Sequence, residues 1–263
     1  MDIQLIKRER KGDIIWLTLD SPGNMNALSL TMLEALNAAI DSAYEDETAR
    51  CVVITGTGKA FCAGGDLRGF QADLAEPTTD RFLHRLRYAQ VVFDKIERLP
   101  MPVIAAVNGY AIAGGLELIL CCDMIVAAES AMIGDGHAKY GIIPAGGSSA
   151  RLPRKISANR ANFMLLAAEL LPAKTLEQWG LVNAVVPDAE LQDAVTKLSD
   201  SIAAHSPLGL KIIKSLVQES TKIPVEDAAR AEITAFEKYA ESHDFSEGLA
   251  AFIEKRKPAF IGK

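Results

Sequence analysis

Cysteine is scarce in this sequence. It occurs four times in 263 residues, at Cys51, Cys62, Cys121 and Cys122, with no CxxC and no spacing that suits a metal. That pattern excludes a disulfide framework and reads as reduced thiols of a cytoplasmic protein. An excess of basic charge is also missing. Lys and Arg number 28 against 34 Asp and Glu, a formal net charge of −6. A general nucleic-acid binder is excluded on this ground, because its affinity rests on cations that neutralise phosphates. A polyanionic small ligand held by a few local cations is not. Long apolar runs are absent too: the longest, Val103–Cys122, is broken by Asn108, Gly109, Gly114, Gly115 and Glu117, whereas a membrane span needs about 20 mostly apolar residues. The opening residues, MDIQLIKRERKGD, hold no apolar signal-peptide core and carry acids that a transit peptide avoids. The expectation is a cytoplasmic globular chain.

What is present suits a folded domain. Hydrophobic residues make up 49% and charged residues 24%, close to the globular average and far from a disordered composition. The length fits one large domain or two small ones. Ile3–Lys7 and Ile14–Leu19 read as strands about the turn Lys11-Gly12-Asp13. Pro22-Gly23-Asn24 reads as a loop and Ser29 as an N-cap. Leu30, Leu33, Leu36, Ala39, Ile40 and Ala43 then recur at the spacing of one helical face. Cys51–Thr55, Val103–Val107 and Met124–Ala128 are short apolar runs of the kind buried in parallel sheets. Between them lie a Gly-rich loop over Gly56–Gly69, a helix over Phe82–Leu99 and a short helix from Gly114 to Cys121. This alternation predicts α/β architecture with crossover connections. After about Pro187 the pattern is helical: Glu190–Ala204, Leu208–Glu219, Val225–Ala240 and Ser246–Lys255, punctuated by Pro207, Pro224 and Asp244. The expected division is an α/β core over residues 1–200 and a helical region over 201–263. Leu208, Ile212, Leu216, Ile233, Phe236 and Phe252 give that region apolar surface, which must be covered by the core or by neighbouring subunits.

Two Gly-rich segments follow buried strands, at the carboxyl ends where α/β proteins bind ligands. They are Lys59-Ala60-Phe61-Cys62-Ala63-Gly64-Gly65-Asp66-Leu67 and Asn108-Gly109-Tyr110-Ala111-Ile112-Ala113-Gly114-Gly115-Leu116-Glu117. Glycine lets backbone N–H groups approach a ligand closely, and Gly114 opens a helix whose positive end favours anionic charge. Either segment alone is equally a tight turn. No GxGxxG follows Ile14–Leu19, Gly56–Lys59 lacks the spacing of a phosphate-binding P-loop, and Gly146-Gly147-Ser148-Ser149-Ala150 is not a GxSxG elbow. Glu117 interrupts the apolar stretch Leu116–Leu120; a carboxylate there must be paired, hydrogen-bonded or functional.

Taken together, the segments resemble the crotonase family, the enoyl-CoA hydratase/isomerase superfamily. The resemblance runs nearly the whole length. It begins with Asp20-Ser21-Pro22 and Asn26-Ala27-Leu28, continues through both Gly-rich loops and Cys122-Asp123, and ends with Gly180–Asn183, Val185-Val186-Pro187, Phe252 and Lys255–Pro258. It implies an α/β fold of the crotonase type, a spiral of ββα units making two roughly perpendicular sheets with a C-terminal helical region. It implies an acyl-CoA thioester as substrate, with CoA part of that substrate and no metal or redox cofactor. It also implies a homotrimer or a dimer of trimers assembled through the C-terminal helices.

The resemblance assigns the oxyanion-hole N–H groups to Gly65 and Gly114, and the CoA groove to Ala63, Gly65, Asp66, Leu67, Arg68 and Gly114. Arg68 falls where the family often places a cation near the CoA phosphates; a solvated surface arginine is the equal alternative. Glu117 takes the position of the catalytic carboxylate. His137 stands where hydratases of the family carry a second glutamate. An imidazole can still exchange a proton near neutral pH, with Asp135 to orient it, or the position is a structural histidine beside a turn residue. Ala145 occupies a position where some dehalogenating and isomerising relatives carry aspartate, which weighs against those branches. Hydration of a 2-enoyl-CoA leads. Double-bond isomerisation, another family reaction built on Glu117 alone, and a CoA-binding protein with little activity remain open. The acyl pocket is expected from Gln71–Arg87, Ile112, Leu116 and a tail helix.

Overall fold

The computed structural model describes residues 5–263. The chain opens with a hairpin, β1 (Ile6–Lys11) and β2 (Ile14–Leu19), paired antiparallel along their whole length around a two-residue turn, Gly12-Asp13. β1 therefore lies several residues later than the Ile3–Lys7 run suggests, and Ile3 falls outside the described residues. The polar stretch Arg8–Lys11 enters the strand because β2 supplies a full ladder of partners, which outweighs side-chain preference. Its exposed arginines are anchored, with Arg8 and Arg10 both reaching Asp46. α1 (Leu30–Tyr44) follows, capped by Ser29, whose hydroxyl accepts from the Met32 N–H.

The central pattern is a repeated step. β3 (Cys51–Gly56) enters one sheet and β4 (Ala60–Cys62) enters another; α2 (Leu67–Leu74) and α3 (Asp80–Glu97) then return the chain. β5 (Val103–Val107) and β6 (Tyr110–Ile112) repeat the move before α4 (Gly114–Leu120), and β7 (Met124–Ala128) and β8 (Met132–Gly134) repeat it again. The first strands of the steps join the hairpin and β10 in a six-stranded sheet in the order β1-β2-β3-β5-β7-β10, and the second strands join β9 in a four-stranded sheet, β4-β6-β8-β9. Corresponding strands of successive steps pair parallel. The segment expected as one loop, Gly56–Gly69, thus holds a strand and the start of a helix. α5 (Ser148–Lys155), α6 (Ala158–Leu166), β9 (Leu171–Pro172), α7 (Ala173–Gln178) and β10 (Ala184–Val186) complete this part.

The central strands of the larger sheet are buried on both faces, while β1 at its edge is largely exposed. Ile15, Leu17, Val52, Ile54, Val103, Ile104 and Ala105 are all 0% exposed, as parallel strands covered by helices require. α8 (Leu191–Ala203) lies against β3, β5 and β7 through Leu191 and Val195. α9 (Pro207–Ser220), α10 (Val225–Tyr239) and α11 (His243–Glu254) follow. α11 begins three residues before the expected Ser246, because Ser242 caps it and Asp244 sits in its first turn rather than punctuating the chain. Asp244 accepts from Ser206 and from the Ile261 and Gly262 N–H groups, which pins the C-terminal residues. α9 is tied to the core by Lys214, which reaches Asp123 (2.7 Å) and the Met101 carbonyl, and by Gln218, which donates to the Glu97 carbonyl at the end of α3. Asp123 also accepts from the Val103 N–H at the start of β5.

Candidate active site

The two Gly-rich segments are held together by asparagines. Asn26, fully buried, accepts from the Ser21 N–H and donates to the Thr57 and Ala60 carbonyls. Asn108 accepts from the Gly56 N–H and donates to the Gly58 carbonyl, joining the turn after β5 to the turn after β3. The segments then meet at Gly64. Its φ is +96°, and a Cβ there would lie 2.8 Å from the Ile112 carbonyl and 3.2 Å from the Gly114 nitrogen. Only glycine permits both the left-handed conformation and that approach. Ala113 is also forced to positive φ (51°) immediately before Gly114, a local cost of the sort found where backbone groups must be aimed. Gly65 and Gly114 both line one cavity of about 520 Å³. Among the hydrogen bonds of the described residues, neither of their N–H groups has an acceptor.

Glu117 enters the same cavity from the first turn of α4, 4% exposed. Its Oε1 accepts from the Gly146 N–H at 2.7 Å and the Ser148 N–H at 3.3 Å, at the N-terminus of α5. A Cβ on Gly146 would stand 2.5 Å from Oε2, so the close seat of the carboxylate needs glycine there. Burial raises the Glu117 pKa above the ordinary carboxylate value; the nearby His137 and the two N–H donors oppose that rise, and Asp135 adds to it.

His137 faces the cavity from the turn after β8. Asp135 is fully buried, and its carboxylate meets His137 Nδ1 at 2.9 Å and the His137 backbone N–H at 3.2 Å. An acceptor at Nδ1 places the proton of the neutral ring there and leaves Nε2 free. Burial disfavours the imidazolium, yet the bond to Asp135 and the charges of Asp135 and Glu117 outweigh it, and the His137 pKa is raised. The structure thus brings two proton-exchanging groups and two unengaged N–H donors to one cavity.

The rest of the wall is mostly apolar, including Leu28, Phe70, Phe82, Leu86, Phe93 and Ile142, with Arg85 and Tyr140 as its polar members. Phe70 packs edge-on against Phe82, with centroids 5.2 Å apart, and lies close over Gly65. Arg85, itself in the wall, pairs with the buried Asp73 at 2.7 Å, and Arg81 meets the same carboxylate at 2.9 Å, tying α2 to α3. Two expectations for this wall are corrected. Leu116 is fully buried in the core and does not face the cavity, because α4 turns Glu117 inward and its neighbour away. No lining residue comes from beyond Gly146, so the tail helices of this chain contribute nothing to it. Ala63 and Leu67 line the cavity, whereas Asp66 and Arg68 lie outside its wall and Arg68 is exposed. The sequence reading missed Gly146 and Ser148. Gly146-Gly147 before Ser148 was tested there only as a nucleophile elbow; a glycine pair opening a helix also signals free N–H groups.

The model of the family described as enoyl-CoA hydratase/isomerase matches residues 9–263. The chain belongs to that family. The enoyl-CoA hydratase EchA19 of Mycobacterium tuberculosis is 36% identical over 255 residues, covering 96% of this chain and 94% of the relative. The crotonyl-CoA hydratase of Syntrophomonas wolfei is 34% identical, with 98% of each chain covered. The crystal structure of an enoyl-CoA hydratase from Bacillus anthracis superposes with a TM-score of 0.94 at 33% identity, over 99% of this chain and 100% of that one. The two-sheet spiral with its helical C-terminal region is therefore the crotonase fold, and the chain is an enzyme of the hydratase/isomerase family.

Proposed function

We propose that this enzyme hydrates a 2-enoyl-CoA to the 3-hydroxyacyl-CoA. The observation that carries the reading is His137, held by the buried Asp135 and facing the same cavity as Glu117, which supplies an acid beside a base where a single carboxylate would serve isomerisation. The Gly65 and Gly114 N–H groups polarise the thioester oxygen; removing one such donor costs roughly 3 kcal/mol in the transition state. Glu117, ionised, takes a proton from water as that water adds at C3. The electrons pass through the enolate, and the His137 imidazolium, held by Asp135, gives its proton to C2. Glu117 then returns the proton to His137 through solvent, which closes the cycle. The reaction is redox-neutral and its charge is carried by backbone dipoles, so it calls for no metal or redox cofactor.

The family resemblance assigns the CoA moiety to Ala63, Gly65, Asp66, Leu67, Arg68 and Gly114. Ala63, Gly65, Leu67 and Gly114 line the cavity, which supports that reading, and Asp66 and Arg68 lie beyond its wall. The apolar wall suits an alkyl chain. Loss of the ultraviolet absorbance of conjugated crotonyl-CoA, with 3-hydroxybutyryl-CoA found by mass spectrometry, is the expected result. Migration of a 3-enoyl double bond without water addition would make the enzyme an isomerase. Tight CoA binding without turnover of any enoyl thioester would leave only a binding protein.

We further propose a homotrimer or dimer of trimers built through the region 201–263. α9 and α10 bury no residue within the chain, and Val217, Ile233, Phe236, Leu249, Phe252 and Ile253 are exposed, Phe252 at 84%. Apolar surface on that scale marks an interface. Sedimentation should report a trimer or hexamer at micromolar protein; a stable monomer refutes the assembly. Among the described residues no helix is long and apolar enough to cross a membrane. The four cysteines are buried free thiols, as a reducing compartment such as the cytoplasm would keep them.

A further inference from the structure

The loop that holds Glu117 is itself gripped from behind. Gln90 Nε2, on α3, donates to the Ala145 carbonyl at 2.7 Å, and that carbonyl belongs to the same peptide unit as the Gly146 N–H. Arg151 Nη1, on α5, donates to the next carbonyl, Gly146 O, at 2.9 Å. The third carbonyl, of Gly147, accepts from the Ala150 and Arg151 N–H groups. Arg151 is fixed in turn by Glu97 at 2.9 and 3.1 Å and by Asp94 at 2.7 Å, both on α3. Between the gripped units, Gly147 has φ +113°, and its missing Cβ leaves the space that the Arg151 guanidinium occupies.

We propose that Gln90 and Arg151 are positioning residues for the catalytic carboxylate. They lock successive peptide units between α3 and α5 so that the Gly146 and Ser148 N–H groups point at Glu117 Oε1, leaving Oε2 without a protein donor and turned to the substrate. The inference rests on Glu117 being the base of the proposed reaction. Its physical content is twofold. A carbonyl that accepts a hydrogen bond makes the N–H of its own peptide unit a stronger donor, by about 10–30% per bond. This strengthens the Gly146 N–H through Gln90, while Arg151 fixes the peptide unit between the two donors. An N–H aimed at a carboxylate forms a charge-assisted bond that favours the ionised form. The other groups facing Glu117 are His137 and Asp135 across the cavity and the buried thiol of Cys121 one turn behind on α4; beyond the loop stand Arg151, Asp94 and Glu97.

Gln90→Met removes the first grip at an exposed position, and Arg151→Lys weakens the second while keeping the charge that faces Asp94 and Glu97. With either grip loosened, Glu117 holds its proton to higher pH. The acid limb of kcat should therefore move upward by about half to one pH unit, so that kcat near that limb falls about three- to tenfold. The loss should be recovered at alkaline pH, with KM changed less than about twofold and the melting temperature of Gln90→Met unchanged. A general loosening of the fold would lower kcat at every pH. An infrared titration of the Glu117 carboxylate, wild type minus Glu117→Gln, reads the same shift without turnover. If the wild type hydrates no enoyl thioester, the hydratase reading falls while the infrared titration still tests the grip. An acid limb and a carboxylate titration that overlay those of the wild type overturn the proposal for the residue replaced.

Discussion

Replacing Glu117 by Gln is expected to lower kcat by a factor on the order of 10²–10⁴ while CoA binding is retained. The amide nearly preserves the shape of the carboxylate, so the apolar wall and the Gly65 and Gly114 N–H groups are left in place. What it lacks is the basic oxygen that accepts the proton of water. The Gly146 and Ser148 N–H groups, 2.7 and 3.3 Å from Oε1, can donate to the amide oxygen, which keeps the side chain seated and isolates the chemical loss from a structural one. Steady-state kinetics on crotonyl-CoA, with a calorimetric measurement of CoA affinity, checks both halves. A variant that keeps more than about a tenth of wild-type kcat removes Glu117 from the proton transfer.

The second large effect belongs to His137. As the acid of the reaction it must be protonated, while Glu117 must be ionised, so activity should follow a bell with one limb from each group. Burial moves the Glu117 limb upward from the ordinary carboxylate range. Asp135 moves the His137 limb upward from the ordinary imidazole value, because the bond at Nδ1 stabilises the cation. The sign is the same for both, and the optimum is expected on the alkaline side of the bell that unperturbed groups would give. His137→Ala should cost a factor comparable to Glu117→Gln and abolish the upper limb. His137→Glu restores the pair of carboxylates implied by the family resemblance and should recover part of the lost rate. Unchanged kcat in His137→Ala would make the histidine structural and the enzyme a single-carboxylate catalyst, with isomerisation the leading reaction.

Much of this site was legible because its chemistry is carried by local sequence. Glu117 announces itself as a carboxylate in an apolar helix, three residues after a glycine that opens it, and the helix geometry alone brings both to one end. The buried strands Val103–Val107 and Met124–Ala128 were legible residue for residue, since a parallel strand covered on both faces must be apolar throughout. The hairpin was legible in its turn but not in its first strand, because Arg8 and Arg10 take strand conformation from β2 rather than from their own preference. α11 was misplaced for a similar reason: Asp244 looks like a breaker in sequence, but its partners Ser206, Ile261 and Gly262 come from distant segments and make it an anchor.

The sequence by itself determined the α/β alternation, the helical C-terminal region, the two glycine loops and the carboxylate of Glu117 in an apolar stretch, because each depends on residues within one or two turns of the chain. His137 was singled out only by its place in the family resemblance. Tertiary structure alone decided that β4, β6 and β8 leave the first sheet to form a second, and that Leu116 turns into the core while Phe70 and Phe93 join Phe82 and Leu86, of the expected Gln71–Arg87 segment, in the wall of the cavity. It alone decided that Glu117 is held by Gly146 and Ser148, some thirty residues away in sequence. The physical reason is that a backbone N–H has no side chain to mark it. Every residue except proline carries the same donor, so which donors stay free, and what they face, is set only when separate segments pack together.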